Sequence, residues 1–235
     1  MIGVQKSVRA VKRALRAFQG RDLWHEIQVR REELRLGNQG ADWTVCPTNL
    51  SEHSVIYSFG VGEDISFDLK LIEEFGLSVH AFDPTPRSVK WIAAQCLTSN
   101  LHFHAVGVAD FDGNSKFSPP VNQQHVSHTM LERKTPGPAV EVPVRRLTTI
   151  MKSLGHDRID LLKMDIEGAE YAVLADLLAS RIRIDQLLVE FHHRWPEIGT
   201  DKTRTAIKDL NAAGFQIFSV SATGEEYGFL RTGAS

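Results

Sequence analysis

Residues 55–83, VIYSFGVGEDISFDLKLIEEFGLSVHAFD, decide the fold. The segment opens on the apolar run Val55-Ile56-Tyr57-Ser58-Phe59 and passes through a turn carrying Gly60 and Gly62. It continues with Ile65, Leu69, Ile72 and Phe75 at helical spacing. Gly76 stands where a helix end needs a left-handed residue. A second apolar run, Val79-His80-Ala81-Phe82, stops at Asp83. Strand, glycine turn, helix and strand in this order make a βαβ unit, whose two strands lie parallel in one sheet.

Downstream the alternation repeats, which is the pattern of an α/β domain. Thr85 is placed as N-cap and Pro86 as first residue of a helix with Val89, Ile92, Ala93 and Cys96 on one face. Strands are expected at 101–106, 140–144, 159–164 and 184–191, and helices at 147–154, 168–180 and 203–213. In the 168–180 helix Ala169, Ala172, Val173 and Leu177 are expected to face inward. Phe215–Val220 and Tyr227–Leu230 read as a terminal hairpin, with Gly214 closing the helix before it. Residues 110–138 break the rhythm with four prolines and the pair His125 and His128, so a long loop near the site is expected there.

Upstream, Leu34 and Leu36, the glycines at 37 and 40, and Trp43 to Cys46 read as a hairpin at the edge of the main fold. Residues 1–36 hold nine Lys/Arg against four Asp/Glu, while the whole chain carries a net charge of −2. The division expected is therefore a basic helical arm over 1–36 and a catalytic domain over 37–235. Val4, Val8, Val11, Leu15 and Phe18 form an apolar stripe in that arm. It suits docking on the domain or a second subunit, and alternatively an anionic membrane surface.

The acidic body disfavours nucleic acid, because phosphate contacts need a basic surface. With 42% apolar and 24% charged residues the chain is of ordinary globular composition. No apolar run is long enough for a membrane span and no leader pattern opens the chain, while Cys46 and Cys96 suit neither a disulfide framework nor a metal spacing. A cytoplasmic location is expected.

Glycines in the first strand–helix turn let backbone approach a ligand, and an acidic residue at the tip of the next strand is placed to accept ribose hydroxyls. Gly60, Gly62 and Asp83 therefore read as a nucleoside site. Ile65 replaces the third glycine of the dinucleotide fingerprint, and Glu63 and Asp64 bring negative charge where a pyrophosphate would sit. That argues against an NAD-dependent oxidoreductase, kept as an alternative, and for a cofactor with a cationic sulfur. The plainer reading is a tight turn with Asp64 capping the helix.

A second group of residues closes the next two parallel strands: Asp165-Ile166-Glu167-Gly168-Ala169-Glu170, and Glu190-Phe191-His192-His193. Neighbouring strand tips face one crevice, so Asp165, Glu190 and His192 are the expected catalytic residues. A hydroxyl acceptor needs its proton removed, which a carboxylate or imidazole in reach can do. The same side chains suit a hard cation, and base catalysis is preferred over metal assistance. The plain reading makes Glu170 a first-turn acid and His193 a surface residue.

VIYSFGVGEDISFD, HAFDPTP, DLLKMDIEGAEY and VEFH together resemble the FkbM family of methyltransferases. The resemblance implies a Rossmann-like class I fold with a seven-stranded, mostly parallel sheet and helices on both faces. It also implies S-adenosylmethionine as cofactor and O-methylation of a sugar, polyketide or other small-molecule hydroxyl. Phe59, Gly60, Gly62, Glu63, Asp64, Asp83, Pro84, Val106 and Asp165 are the expected cofactor-binding set. Asp64 stands where the wider class has a third glycine. A domain that keeps the cofactor without turnover, working as an interaction unit, is the other alternative.

Overall fold

Parallel strands that bury both faces need apolar side chains on either side of the sheet, and the alternation along each run supplies them. The computed structural model describes residues 13–20, 22–117 and 139–232. After α1 (13–18) come β1 (Leu34–Leu36), β2 (Trp43–Val45), β3 (Val55–Phe59), α2 (Ser66–Phe75), β4 (Ser78–Phe82), α3 (Pro86–Ile92) and β5 (Leu101–His104). Two short strands follow, β6 (Gly107–Val108) and β7 (Gly113–Phe117), and then β8 (Val140–Arg145), α4 (Leu147–Leu154), β9 (Arg158–Met164) and α5 (Glu170–Ser180). The chain ends in β10 (Arg183–Glu190), α6 (Gly199–Ala212), β11 (Phe215–Val220) and β12 (Glu226–Arg231).

The main sheet has seven strands in the order β11-β12-β10-β9-β3-β4-β5. Its β10, β9, β3, β4 and β5 run parallel, and β12 pairs antiparallel with both β10 and β11. Tyr57, Phe59, Phe82, Leu162 and Leu187 face one side and pack with α4, α5 and α6. Ile56, Val79, Ala81, Leu161 and Leu188 face the other, covered by Phe67 and Leu71 of α2 and by Leu36, Trp43 and Val45 of the β1–β2 hairpin. A period of two along each strand thus supplies both layers of the three-layer domain.

Several elements differ from the sequence reading. The strand expected to reach 106 stops at His104, because Gly107–Val108 leaves the main sheet and pairs with β8 in a separate three-stranded sheet. In α5, Ala172 is exposed and Leu174 is buried in its place, and Cys96 beyond α3 is exposed. The hairpin straddles the expected division at residue 36. Before it, Asp22 and Leu23 are buried, and the N–H groups of Gln28 and Val29 donate to Ile217 O at 2.8 and 3.1 Å. Leu15 and Phe18 of the apolar stripe are exposed, while Val4, Val8 and Val11 lie outside the described residues, as do His125 and His128. Among the described residues no helix is long and apolar enough to cross a membrane.

Candidate active site

Parallel strands end on the same edge of the sheet, so the loops after β3, β4, β9 and β10 meet there. They line a cavity of about 1150 Å³, closed on one side by Gly37 and by Gln39 to Trp43 of the hairpin. The two glycines of the first turn serve different ends. Gly60 has φ +78°, and a Cβ there would fall 1.6 Å from the carbonyl oxygen of Asp165, so the crossing of two strand tips requires glycine. At Gly62, φ +60°, a Cβ would meet nothing within 4 Å, and the backbone is left bare toward the cavity.

Gly62 N–H donates to Asp83 Oδ2 at 2.9 Å, while Asp83 Oδ1 accepts from Thr85 N at 2.9 Å and Thr85 Oγ1 at 2.7 Å. Three of the roughly four acceptor positions of a carboxylate are filled, which leaves one on Oδ2. Asp83 and Pro84 line the cavity with Phe59. Glu63 forms a forked pair with Arg87, whose hydrogen bonds hold its carboxyl below the usual range. Asp64 accepts from Ser66 N–H at 2.7 Å at the start of α2 and from Asn38 Nδ2 at 3.2 Å, and it too borders the cavity. Val106 is not among the lining residues. Its neighbours Gly107 and Val108 line the cavity, and Val106 packs against the core.

Across from Asp83, the tips of β9 and β10 bring Asp165, Glu190 and His192 together, with one donor atom from each inside 4.8 Å of the others. Asp165 and Glu190 open on the cavity, and His192 lies behind them, 6% exposed. Its Nε2 is 3.9 Å from Asp165 Oδ1 and 3.3 Å from Glu167 Oε2, and its Nδ1 is 3.1 Å from Glu170 Oε1. Glu167 adopts φ +56°, a left-handed conformation that costs a residue with a side chain about 1–2 kcal/mol. Burial pushes the Asp165 carboxyl up to about 6, helped by Glu167. Burial and the nearby Asp165 push Glu190 up to about 9. Burial alone would lower the His192 imidazole, but the Glu170 and Glu167 carboxylates override it and raise it well above its ordinary value.

The sequence model described as Methyltransferase FkbM domain matches residues 42–228, a span that takes in both groups of residues. The chain belongs to this family. Among known relatives, the human protein named probable methyltransferase-like protein 24 is 28% identical over 174 residues, covering 69% of this chain and 41% of that one. Its rat counterpart is also 28% identical, with 69% and 42% covered. The FkbM-domain chain thus spans about two fifths of the length of these relatives. Among solved structures, methyltransferase FkbM from Methylobacillus flagellatus KT aligns at 14% identity and a TM-score of 0.49, covering 77% of this chain and 44% of that one. Aeropyrum pernix fibrillarin with natively bound S-adenosyl-L-methionine aligns at 10% identity and 0.44, covering 87% and 84%.

Other side chains of the FkbM domain shape the site without a sequence signal of their own. Lys163, in the middle of an apolar strand, is buried; its Nζ donates to Phe59 O at 3.0 Å and Gly60 O at 2.8 Å and lies 5.4 Å from the Trp43 ring centre. It ties β9 to the glycine turn. Glu170 is fully buried and accepts from Ile166 and Gly168 N–H, both at 2.9 Å, so it braces the loop that carries Asp165. In the sequence its place within residues 165–170 reads only as that of a first-turn acid. His193 is buried rather than at the surface, with Nε2 2.9 Å from Asp22 Oδ1.

Proposed function

We propose that the chain is an S-adenosylmethionine-dependent O-methyltransferase whose acceptor is a hydroxyl of a small molecule, sugar or other natural product. The observation that carries this reading is one cavity with Asp83 and bare Gly62 on one side and Asp165 and Glu190 on the other. Bound cofactor would supply an electrophilic methyl on a cationic sulfur. Asp83 has one acceptor position free for a ribose hydroxyl, and its two tethers to Gly62 and Thr85 fix that position before binding. The carboxylates at the opposite tips favour a sulfonium and disfavour a pyrophosphate.

The acceptor hydroxyl must sit in line with the methyl, and its proton must leave. Both tasks fall to the Asp165–Glu190–His192 cluster. Asp165 and Glu190 reach the cavity, and His192 lies behind them with Nε2 3.9 Å from Asp165 Oδ1. Calorimetry with S-adenosylmethionine tests the first half of the reading, and transfer of isotopically labelled methyl groups into a native extract tests the second. Saturable binding with label recovered on an oxygen-linked methyl is expected. Absence of binding, or label on nitrogen or carbon alone, would overturn it.

A further inference from the structure

We infer that Asp165, Glu190 and His192 form a binding site for a first-row divalent cation, which holds the acceptor hydroxyl of the proposed methyl transfer. The inference rests on the preceding reading of the cavity and adds how the proton is lost. Two carboxylates and one imidazole are a donor set suited to Mn²⁺, Fe²⁺ or Zn²⁺. The three donor atoms lie within 4.8 Å of one another. A cation with ligands at ~2.1 Å draws them closer by small side-chain rotations.

Three further observations point to a cation. Asp165 Oδ1 is enclosed and accepts no hydrogen bond, which leaves a buried acceptor aimed into the cluster. The buried His192 ring is held between carboxyl groups on both sides: Nδ1 lies 3.1 Å from Glu170 Oε1, and Nε2 lies 3.3 Å from Glu167 Oε2 and 3.9 Å from Asp165 Oδ1. Glu170 is in turn locked by two backbone N–H groups. Finally, Asp165, Glu170 and Glu190 share one imidazole, more carboxyl groups than a single ring can pair with.

Asp165 and Glu190 line the cavity, so a cation between them presents its open coordination positions to the acceptor. A hydroxyl that displaces water there is acidified, and its proton leaves to solvent. The oxygen lone pair then forms the O–C bond as the C–S bond of the cofactor breaks, with that bonding pair staying on sulfur.

Titration of the full chain with MnCl₂, followed by calorimetry and by electron paramagnetic resonance of free Mn²⁺, tests the site. One equivalent is expected, with binding weakened at least about tenfold in Glu190→Gln and His192→Asn. Both variants should keep the far-UV circular dichroism spectrum of the parent, which shows that they fold. No Mn²⁺ binding, or binding unchanged in both variants, overturns the cation site and leaves the methyltransferase reading standing. Failure of the parent to bind S-adenosylmethionine sinks that reading instead.

Discussion

His192 and His193 are adjacent in sequence and both buried, yet they sit in opposite electrostatic settings. His192 faces Asp165, Glu167 and Glu170, and the Glu170 and Glu167 carboxylates raise its imidazole despite burial. His193 shares a single carboxylate, Asp22, with Arg194, whose Nε and Nη2 donate to Asp22 Oδ2 at 3.1 and 2.7 Å. Burial therefore wins there and the His193 imidazole is lowered. Arg194 also pairs with Glu225, so charge in this second group is nearly balanced. One cluster is charge-rich and borders a cavity; the other is closed, neutralised, and fastens the N-terminal segment to the domain. A buried ionic group that is complete serves as structure, and one left with excess charge beside a cavity is available for a ligand.

The largest effect is expected from breaking the closed cluster. Asp22→Ala leaves His193 and Arg194 without their shared carboxylate and should lower the unfolding free energy by about 3–5 kcal/mol in urea titrations. A loss under about 1 kcal/mol would mean that the network is dispensable. In the parent, the Asp22 carboxyl must overcome burial, and its bonds to His193, Arg194 and Leu23 N–H hold it below the ordinary value. Its contribution is thus present above about pH 4 and lost as pH falls through the lowered value.

Glu190→Gln in the open cluster should do the reverse. Replacing one carboxylate of a crowded group by an isosteric amide should leave the fold as stable as the parent, while methyl transfer drops about 10²–10³-fold. Melting curves alongside single-turnover rates would show it, and a large loss of stability would place Glu190 in the structural class.

A third effect concerns the opposite wall. Asp83→Asn removes the charge from the acceptor of Gly62 and Thr85 and should weaken S-adenosylmethionine about 10- to 100-fold by calorimetry, the range for a hydrogen bond to a charged group. Unchanged affinity would discard Asp83 as the ribose partner.

The smallest effect comes from a group of imidazoles away from both clusters. His80 Nδ1 lies 3.0 Å from His104 Nε2, and its ring centre is 5.1 Å from those of His102 and His156. Burial, then the neighbouring imidazoles, lower His80 to about 4. Between about pH 6.5 and 4 the unfolded chain takes up a proton that the folded one refuses, so stability is lost as pH falls through that window. The fall in melting temperature across it should be shallower in His80→Phe, and an unchanged slope would assign the acid sensitivity elsewhere.

Much of the layout was legible in sequence because apolar periodicity reports which faces are buried. The Leu147–Leu154 helix falls where expected, and Gly76 and Gly214, read as helix ends, both have positive φ just after helices. The errors fell where periodicity is blind. A strand that changes sheets, as the chain does after His104, looks like one that continues. Ala172 and Leu174 are both helix-compatible, and only the neighbouring sheet decides which is covered.

The chain's own sequence determined the parallel α/β order, the glycine turn before α2 and the acidic residues at four strand tips, since these depend on local conformational preference and hydrophobic period. Tertiary structure decided that Gly60 yields to the Asp165 carbonyl, that Lys163 ties two strands together, and that one of two neighbouring histidines meets a surplus of carboxylates while the other meets a balanced pair. Charge balance is set by which distant groups share a buried volume, and that follows from packing rather than from spacing along the chain.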